Sequence, residues 1–209
     1  TLGPEIDGVP AVRALQQGGL LDVALAPDFA ESRLIYLTYS AREGLAASAT
    51  ALARAILSED HLTLNNVEEL WRQAPASTVP AHFGSRVILL PDDSIFVTTG
   101  DRFTPETRRL AQDPFDAAYG VTVRLLPDGS VPEEPSIPGA SPALLTYGHR
   151  NIQGAAVHPG DGTIWTLEHG PAGGDELNII DPGANYGWPE VSYGQNYNGS
   201  AVGTGNQAH

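Results

Sequence analysis

The chain has 209 residues, a formal net charge of −14, eleven Arg and no Lys, and neither Cys nor Met. That acidic balance repels phosphate backbones and anionic bilayer surfaces, which argues against nucleic acid as a partner, and the missing thiols exclude disulfides and thiolate metal sites. No apolar run approaches the ~20 residues of a membrane span. An acidic surface suits calcium sites or plain solubility equally. The sequence opens on T-L-G-P without Met or a signal-like segment, and it stops at G-N-Q-A-H within a Gly/Asn-rich loop. It therefore reads as one domain, 1–209, internal to a longer protein.

Residues 1–19, punctuated by Gly and Pro, read as a lead-in loop. Leu20–Ala26 and Leu34–Ser40 alternate around a Pro-Asp turn, as two strands of a hairpin do. Residues 43–57 are Ala-rich and helical by propensity. Their place between strands predicts instead a third strand over Ala49–Leu57, with Glu68–Gln73 as the fourth. Arg86–Leu90 and Ile95–Thr99 flank P-D-D-S, which fits a type I turn. Gly120–Leu126 leads into P-D-G, Ala143–Tyr147 is strand-like, and Ala155–His158 pairs with Thr163–Leu167 across P-G-D-G.

The unit of apolar strand, Pro-Asp or Pro-Gly turn and apolar strand recurs at Pro27, Pro91 and Pro159, with Pro127 between two of these. Four short antiparallel strands per repeat predict an all-β β-propeller, here of roughly three to four blades, and a β-sandwich is the competing fold.

Polar residues gather where strands begin and end. His82 enters the Arg86 strand and Asp101 leaves its hairpin partner, so the two should meet. A carboxylate beside an imidazole fixes its tautomer and stabilises its protonated form, as a general base requires. Arg150, Asn151 and Gln153 suit a flat ligand bearing carboxylates or carbonyls, unless the Arg merely bridges blades. His169, Gly170 and Pro171 end a strand with carbonyls suited to a hard cation such as calcium. His82, His149, His158 and His169 lack helical H-x-x-x-H spacing, which disfavours zinc. There is no G-x-G-x-x-G after a strand, no Walker loop and no G-x-S-x-G elbow, so nucleotide, nicotinamide and serine-hydrolase readings have no support.

These residues resemble the soluble glucose/sorbosone dehydrogenase family, especially its aldose sugar dehydrogenases. The matching motifs are Q-G-G-L-L-D at Gln17–Asp22, H-F-G-S-R at His82–Arg86, G-D-R at Gly100–Arg102, G-H-R-N-I-Q-G at Gly148–Gly154, E-H-G-P-A-G-G-D-E-L-N at Glu168–Asn178 and N-Y-G-W-P at Asn185–Pro189. The resemblance implies a six-bladed propeller that uses pyrroloquinoline quinone and Ca2+ to oxidise the anomeric carbon of aldose sugars. It implies that His82 is the base, that Asp101 orients it, and that Arg150 polarises the quinone. Gln17, Asn151, Gln153 and His169 would complete the cofactor contacts. Gly170 and Pro171 carbonyls would hold the cofactor's calcium, and Glu176 with Tyr186 a second, structural one.

The resemblance further implies an electron acceptor, and a periplasmic or secreted location. His169 stands where many members have Gln, and Y-G-V-T at Tyr119–Thr122 replaces the usual L-G-K. The family's later Lys and Arg contacts lie C-terminal to this sequence, and the first blade's start precedes it, so the 209 residues alone are expected to have weak or no activity. The alternative is a non-catalytic propeller module that binds a ligand or protein partner, although it has no reason to keep both His82 and Asp101. A hydrolase or lactonase on a similar propeller would need a cluster of acidic metal ligands, which the sequence does not supply.

Overall fold

The structure is a computed structural model that describes residues 3–204. Their strands fall into three antiparallel sheets, each a meander in chain order. The first holds β1 (Leu20–Leu25), β2 (Leu34–Glu43), β3 (Ala47–Leu57) and β4 (Leu64–Arg72). The second holds β5 (Gly84–Leu89), β6 (Ile95–Thr99), β7 (Thr122–Leu125) and β8 (Leu144–Thr146). The third holds β9 (Ile152–Val157), β10 (Ile164–Glu168) and β11 (Glu176–Ile179). Strand β5 lies between β1 and β9, so the first strand of each sheet faces a common centre and the sheets are successive blades. The first sheet has four strands among the described residues.

The Ala-rich segment is a strand because of what it pairs with. Ala49, Ala51, Ala53 and Ala55 sit opposite Ala41, Tyr39, Leu37 and Ile35 of β2. Ala51, Ala53 and Ala55 lie across from large residues and so fill the face evenly, and this packing overrides helix propensity. Residues of opposite parity, Tyr36 and Leu52, join Val87, Ile95, Val97 and Val123 in the core between the first two sheets. Phe96, Leu145 and Ile180 fill the space between the second and third. The lead-in loop fastens to the first sheet, with Asp7 bridging to Thr63 and Val12 to Ala41.

Three features lie outside the sequence reading: strand β11, and the short helices α1 (Phe29–Ser32) and α2 (Pro105–Arg108), the latter running into a 3-10 turn, Arg109–Gln112. Among the described residues no helix is long and apolar enough to cross a membrane. The two outer faces keep apolar side chains in water. On β1, Leu20, Val23 and Leu25 are 58%, 57% and 55% exposed, and on the third sheet Leu167 and Leu177 are 55% and 60% exposed.

Candidate functional site

Antiparallel pairing collects strand termini. His82 precedes β5, Asp101 follows β6, Arg150 and Asn151 precede β9, and His169 and Gly170 follow β10. In a meander these starts and ends fall on one edge. Main-chain bonds join them: Asp101 N donates to Arg150 O at 2.8 Å, and His169 N donates to Asn151 O at 3.1 Å. Gly100 bridges to Asn151 here, and a Cβ at this position would collide with the His82 carbonyl.

The expected pair forms. His82 Nδ1 lies 2.7 Å from Asp101 Oδ1, and both residues are buried. Phe103 N–H donates to the same oxygen at 2.8 Å, and Trp188 Nε1–H donates to Oδ2 at 2.8 Å. Both of these partners can only donate, so the carboxylate accepts on each oxygen. The imidazole proton then sits on Nδ1 and the lone pair on Nε2. His82, Arg102 and Phe103 have φ of 49°, 59° and 78°. Three such residues in the left-handed region at one place mark strain held by their surroundings.

Arg102 is the clamp on the segment that delivers His82. It is fully buried and donates to Ala81 O and Ser48 O at 3.0 Å each, to Gln73 Oε1 at 3.2 Å, and to Val79 O. Its guanidinium lies 4.0 Å from the centroid of the Phe83 ring. Burial pushes its pKa down to about 10, against the pull of Tyr119 and Asp101, so it stays charged at neutral pH.

Amides form a second wall. Gln17 Oε1 accepts from His82 N at 2.8 Å, and Asn151 Oδ1 accepts from Gly84 N at 3.1 Å and from Gln153 Nε2 at 3.2 Å. With their oxygens engaged, Gln17 and Asn151 present amide N–H groups, which suit an anionic or carbonyl-bearing ligand. A cavity of about 240 Å³ opens beside them, lined by Gln17, Gly84, Asn151, Gln153 and the exposed His169. Its lining does not include His82 or Arg150.

The Arg150 guanidinium is held by the loop that follows β10. Its Nη1 donates to His169 O at 2.8 Å and Gly170 O at 2.7 Å, and Nη2 donates to the Tyr197 hydroxyl at 3.2 Å. The Gly170 carbonyl, expected to face calcium, thus faces a guanidinium, and two cations repel at one oxygen. Pro171 adds one neutral carbonyl, far short of the roughly six to eight oxygens calcium takes. The residues described do not by themselves fit that ion.

Behind Arg150 lies a buried polar cluster. Glu168 accepts from Arg150 N at 2.6 Å, from His149 Nδ1 at 2.9 Å and from Asn178 Nδ2 at 2.9 Å. His149 stacks on Tyr186 at 4.3 Å. Glu176 accepts from Asn178 Nδ2 at 3.3 Å, and burial together with the nearby Glu168 charge raises its pKa. The Tyr186 hydroxyl donates to Ile179 O and accepts from Asp181 N, so only its main-chain carbonyl could serve an ion. His158 bonds Asp161 in an exposed turn. Among the described residues no three His, Asp or Glu converge as a metal site.

The glucose/sorbosone dehydrogenase family model matches residues 1–209. The chain belongs to that family. It is 41% identical over 204 residues to the aldose sugar dehydrogenase YliI of Escherichia coli K12, a match that covers 96% of this chain and 54% of the relative. A crystal structure of a glucose dehydrogenase superposes with a TM-score of 0.91 at 42% identity, covering 99% of this chain and 60% of that one. The PQQ-bound form of an aldose sugar dehydrogenase from Streptomyces coelicolor superposes with a TM-score of 0.77 at 30% identity, covering 93% and 55%. The chain spans about half the length of the curated relatives it matches.

The glucose/sorbosone dehydrogenase motifs divide by task in this fold. Asp22 and Arg86 tie blades together: Asp22 Oδ2 accepts from Val87 N at 3.1 Å, and Arg86 Nε donates to Gln153 O at 2.6 Å. Arg102, Phe103, Trp188 and Tyr197 carry site contacts that residue-by-residue reading of the motifs missed. Trp188 had one legible signal, its place in a Gly-Trp-Pro turn.

Proposed function

We propose that these residues are the base-and-cation part of a quinoprotein dehydrogenase that oxidises the anomeric carbon of an aldose to a lactone. The observation that carries the reading is the buried His82–Asp101 pair, one main-chain bond from Arg150. The similarity to an aldose sugar dehydrogenase and to a PQQ-bound relative supports it.

Amide N–H groups of Gln17 and Asn151, with Gln153 and His169 beside the same cavity, suit a flat, multiply charged quinone, and the Arg150 guanidinium, outside that lining, adds positive charge nearby. When bound, pyrroloquinoline quinone supplies the acceptor for the hydride leaving the anomeric carbon. His82 Nε2 takes the proton of the anomeric hydroxyl, and Asp101 stabilises the imidazolium that results. Loss of that proton and that hydride leaves the lactone. Arg150 offers fixed positive charge where negative oxygen develops, which costs no reorganisation during the reaction.

By family resemblance Glu176 with the Tyr186 carbonyl would contribute to a structural Ca2+ site, whose remaining oxygens these two residues do not supply. An external electron acceptor and a periplasmic or secreted location complete the reading and rest on family resemblance.

The test uses the full-length protein. His82→Ala should lower aldose-dependent dye reduction by ~10²–10⁴-fold. Quinone binding, followed by absorbance titration, should persist. Unchanged turnover would remove His82 as the base, and a full-length parent that binds quinone without any aldose-dependent turnover would favour a binding module.

A further inference from the structure

Trp188 joins the two halves of the site. Its indole N–H donates to Asp101 Oδ2 at 2.8 Å, while Oδ1 of the same carboxylate serves His82 Nδ1 and Phe103 N–H. The Arg150 guanidinium carbon lies 5.4 Å from the centroid of its ring, within cation–π range. The Arg108 guanidinium is 5.9 Å from the same ring.

The side chain has little freedom to turn away. It is 7% exposed and packs with Ala111 and Val202. Its main chain is held on both sides: Trp188 N donates to Gly148 O at 2.8 Å, and Gln112 Nε2 donates to Trp188 O at 2.7 Å.

We propose that Trp188 is a positioning residue for the reaction, fixing the second oxygen of Asp101 and, through the same ring, the guanidinium of Arg150. One rigid indole then sets where the base stands relative to the cation. This inference rests on the reading of His82 as the base. Removing the N–H leaves Oδ2 buried without its donor, so the carboxylate swings toward other partners and the imidazole follows. It also removes a donor that shares the negative charge, and both the carboxylate and the imidazole then hold a proton more tightly.

The charged and titratable groups facing this carboxylate are His82, Arg102 and, across the indole, Arg150 and Arg108. The guanidiniums stay charged near neutrality, so a change in pH dependence there reports the His82–Asp101 unit.

The experiment replaces Trp188 in the full-length enzyme with β-(3-benzothienyl)alanine, in which sulfur takes the place of the indole N–H and the shape is kept. Trp188→Phe is made alongside. The isostere should lower kcat by ~10-fold or more, with the sugar KM and quinone affinity within ~3-fold of the parent. The acid limb of the kcat/KM profile should move to higher pH by ~0.5 unit or more. In cofactor-free protein, ¹⁵N NMR of the His82 ring should show the same upward displacement.

A folded isostere protein with parental kcat, pH profile and His82 titration would overturn the proposal. His82→Ala, run in parallel, separates the two levels. If His82→Ala is inactive while the isostere behaves as the parent, only the role of Trp188 falls. If His82→Ala keeps turnover, the base assignment falls and takes this inference with it. Should Trp188→Phe fail to fold, the isostere alone decides.

Discussion

Glu176 shows how one carboxylate can carry a stability cost that an ion would relieve. Burial and the Glu168 charge raise its pKa in the folded chain above the unfolded value of 4.5. The folded state therefore binds the proton more tightly, and its stability rises as pH falls through the folded pKa toward the unfolded one. Without calcium, Glu176→Gln should raise the melting temperature at pH 7, and that gain should vanish below about pH 4.5, where both states are protonated. Added calcium should raise the melting temperature of the parent and leave Glu176→Gln unmoved. Differential scanning fluorimetry across pH, with and without chelator, checks both halves, and a calcium response retained by the variant would remove the ion from this place. The His82–Asp101 meeting was legible in the sequence because the two residues end paired strands on either side of one turn. The posture of Arg150 was not, since it depends on carbonyls of a loop nineteen and twenty residues on.

At the scale of the element, β3 carries the lesson about propensity. Ala residues favour helix in isolation. Here Ala51 and Ala53 are fully buried opposite Tyr39 and Leu37, where a larger side chain has no room. Ala53→Leu should destabilise the fold by ~1–3 kcal/mol through overpacking. An exposed Ala on a helix would tolerate the same change almost without effect, so urea unfolding distinguishes the two situations. Most strands were readable from their alternation and Pro-Asp punctuation, with ends shifted by a few residues. β11 was not, because E-L-N-I is four residues long and its register is set by β10. Helix α2 left a signal that went unread: Thr104 caps it, Thr107 returns the bond, and Pro105 occupies its first turn.

At the scale of the molecule, the repeat predicted blades, and the described residues form three. The outer faces of the first and third sheets leave Leu20, Val23, Leu25, Leu167 and Leu177 more than half exposed. Blades cover such faces with neighbours, and repeat arrays without polar caps associate. The 209-residue chain by itself should self-associate at micromolar concentration, and Val23→Lys with Leu177→Lys should return it toward monomer. Sedimentation velocity reads this directly, and a stable monomer without these changes would contradict the expectation.

The meander order has a consequence for how the protein comes into being. Each sheet is made from consecutive strands, so its contacts are short in sequence and can form as soon as that stretch leaves the ribosome. His82 and Asp101 meet within the second sheet, before the third has been synthesised. Arg150, Asn151 and Trp188 come later in the chain, and with them the second oxygen of Asp101 gains its donor. During synthesis the base therefore stands already held by Gln17 and the Arg102 clamp, and the last of its supports, the donor on the second oxygen of Asp101, arrives only with the segment that follows the third sheet.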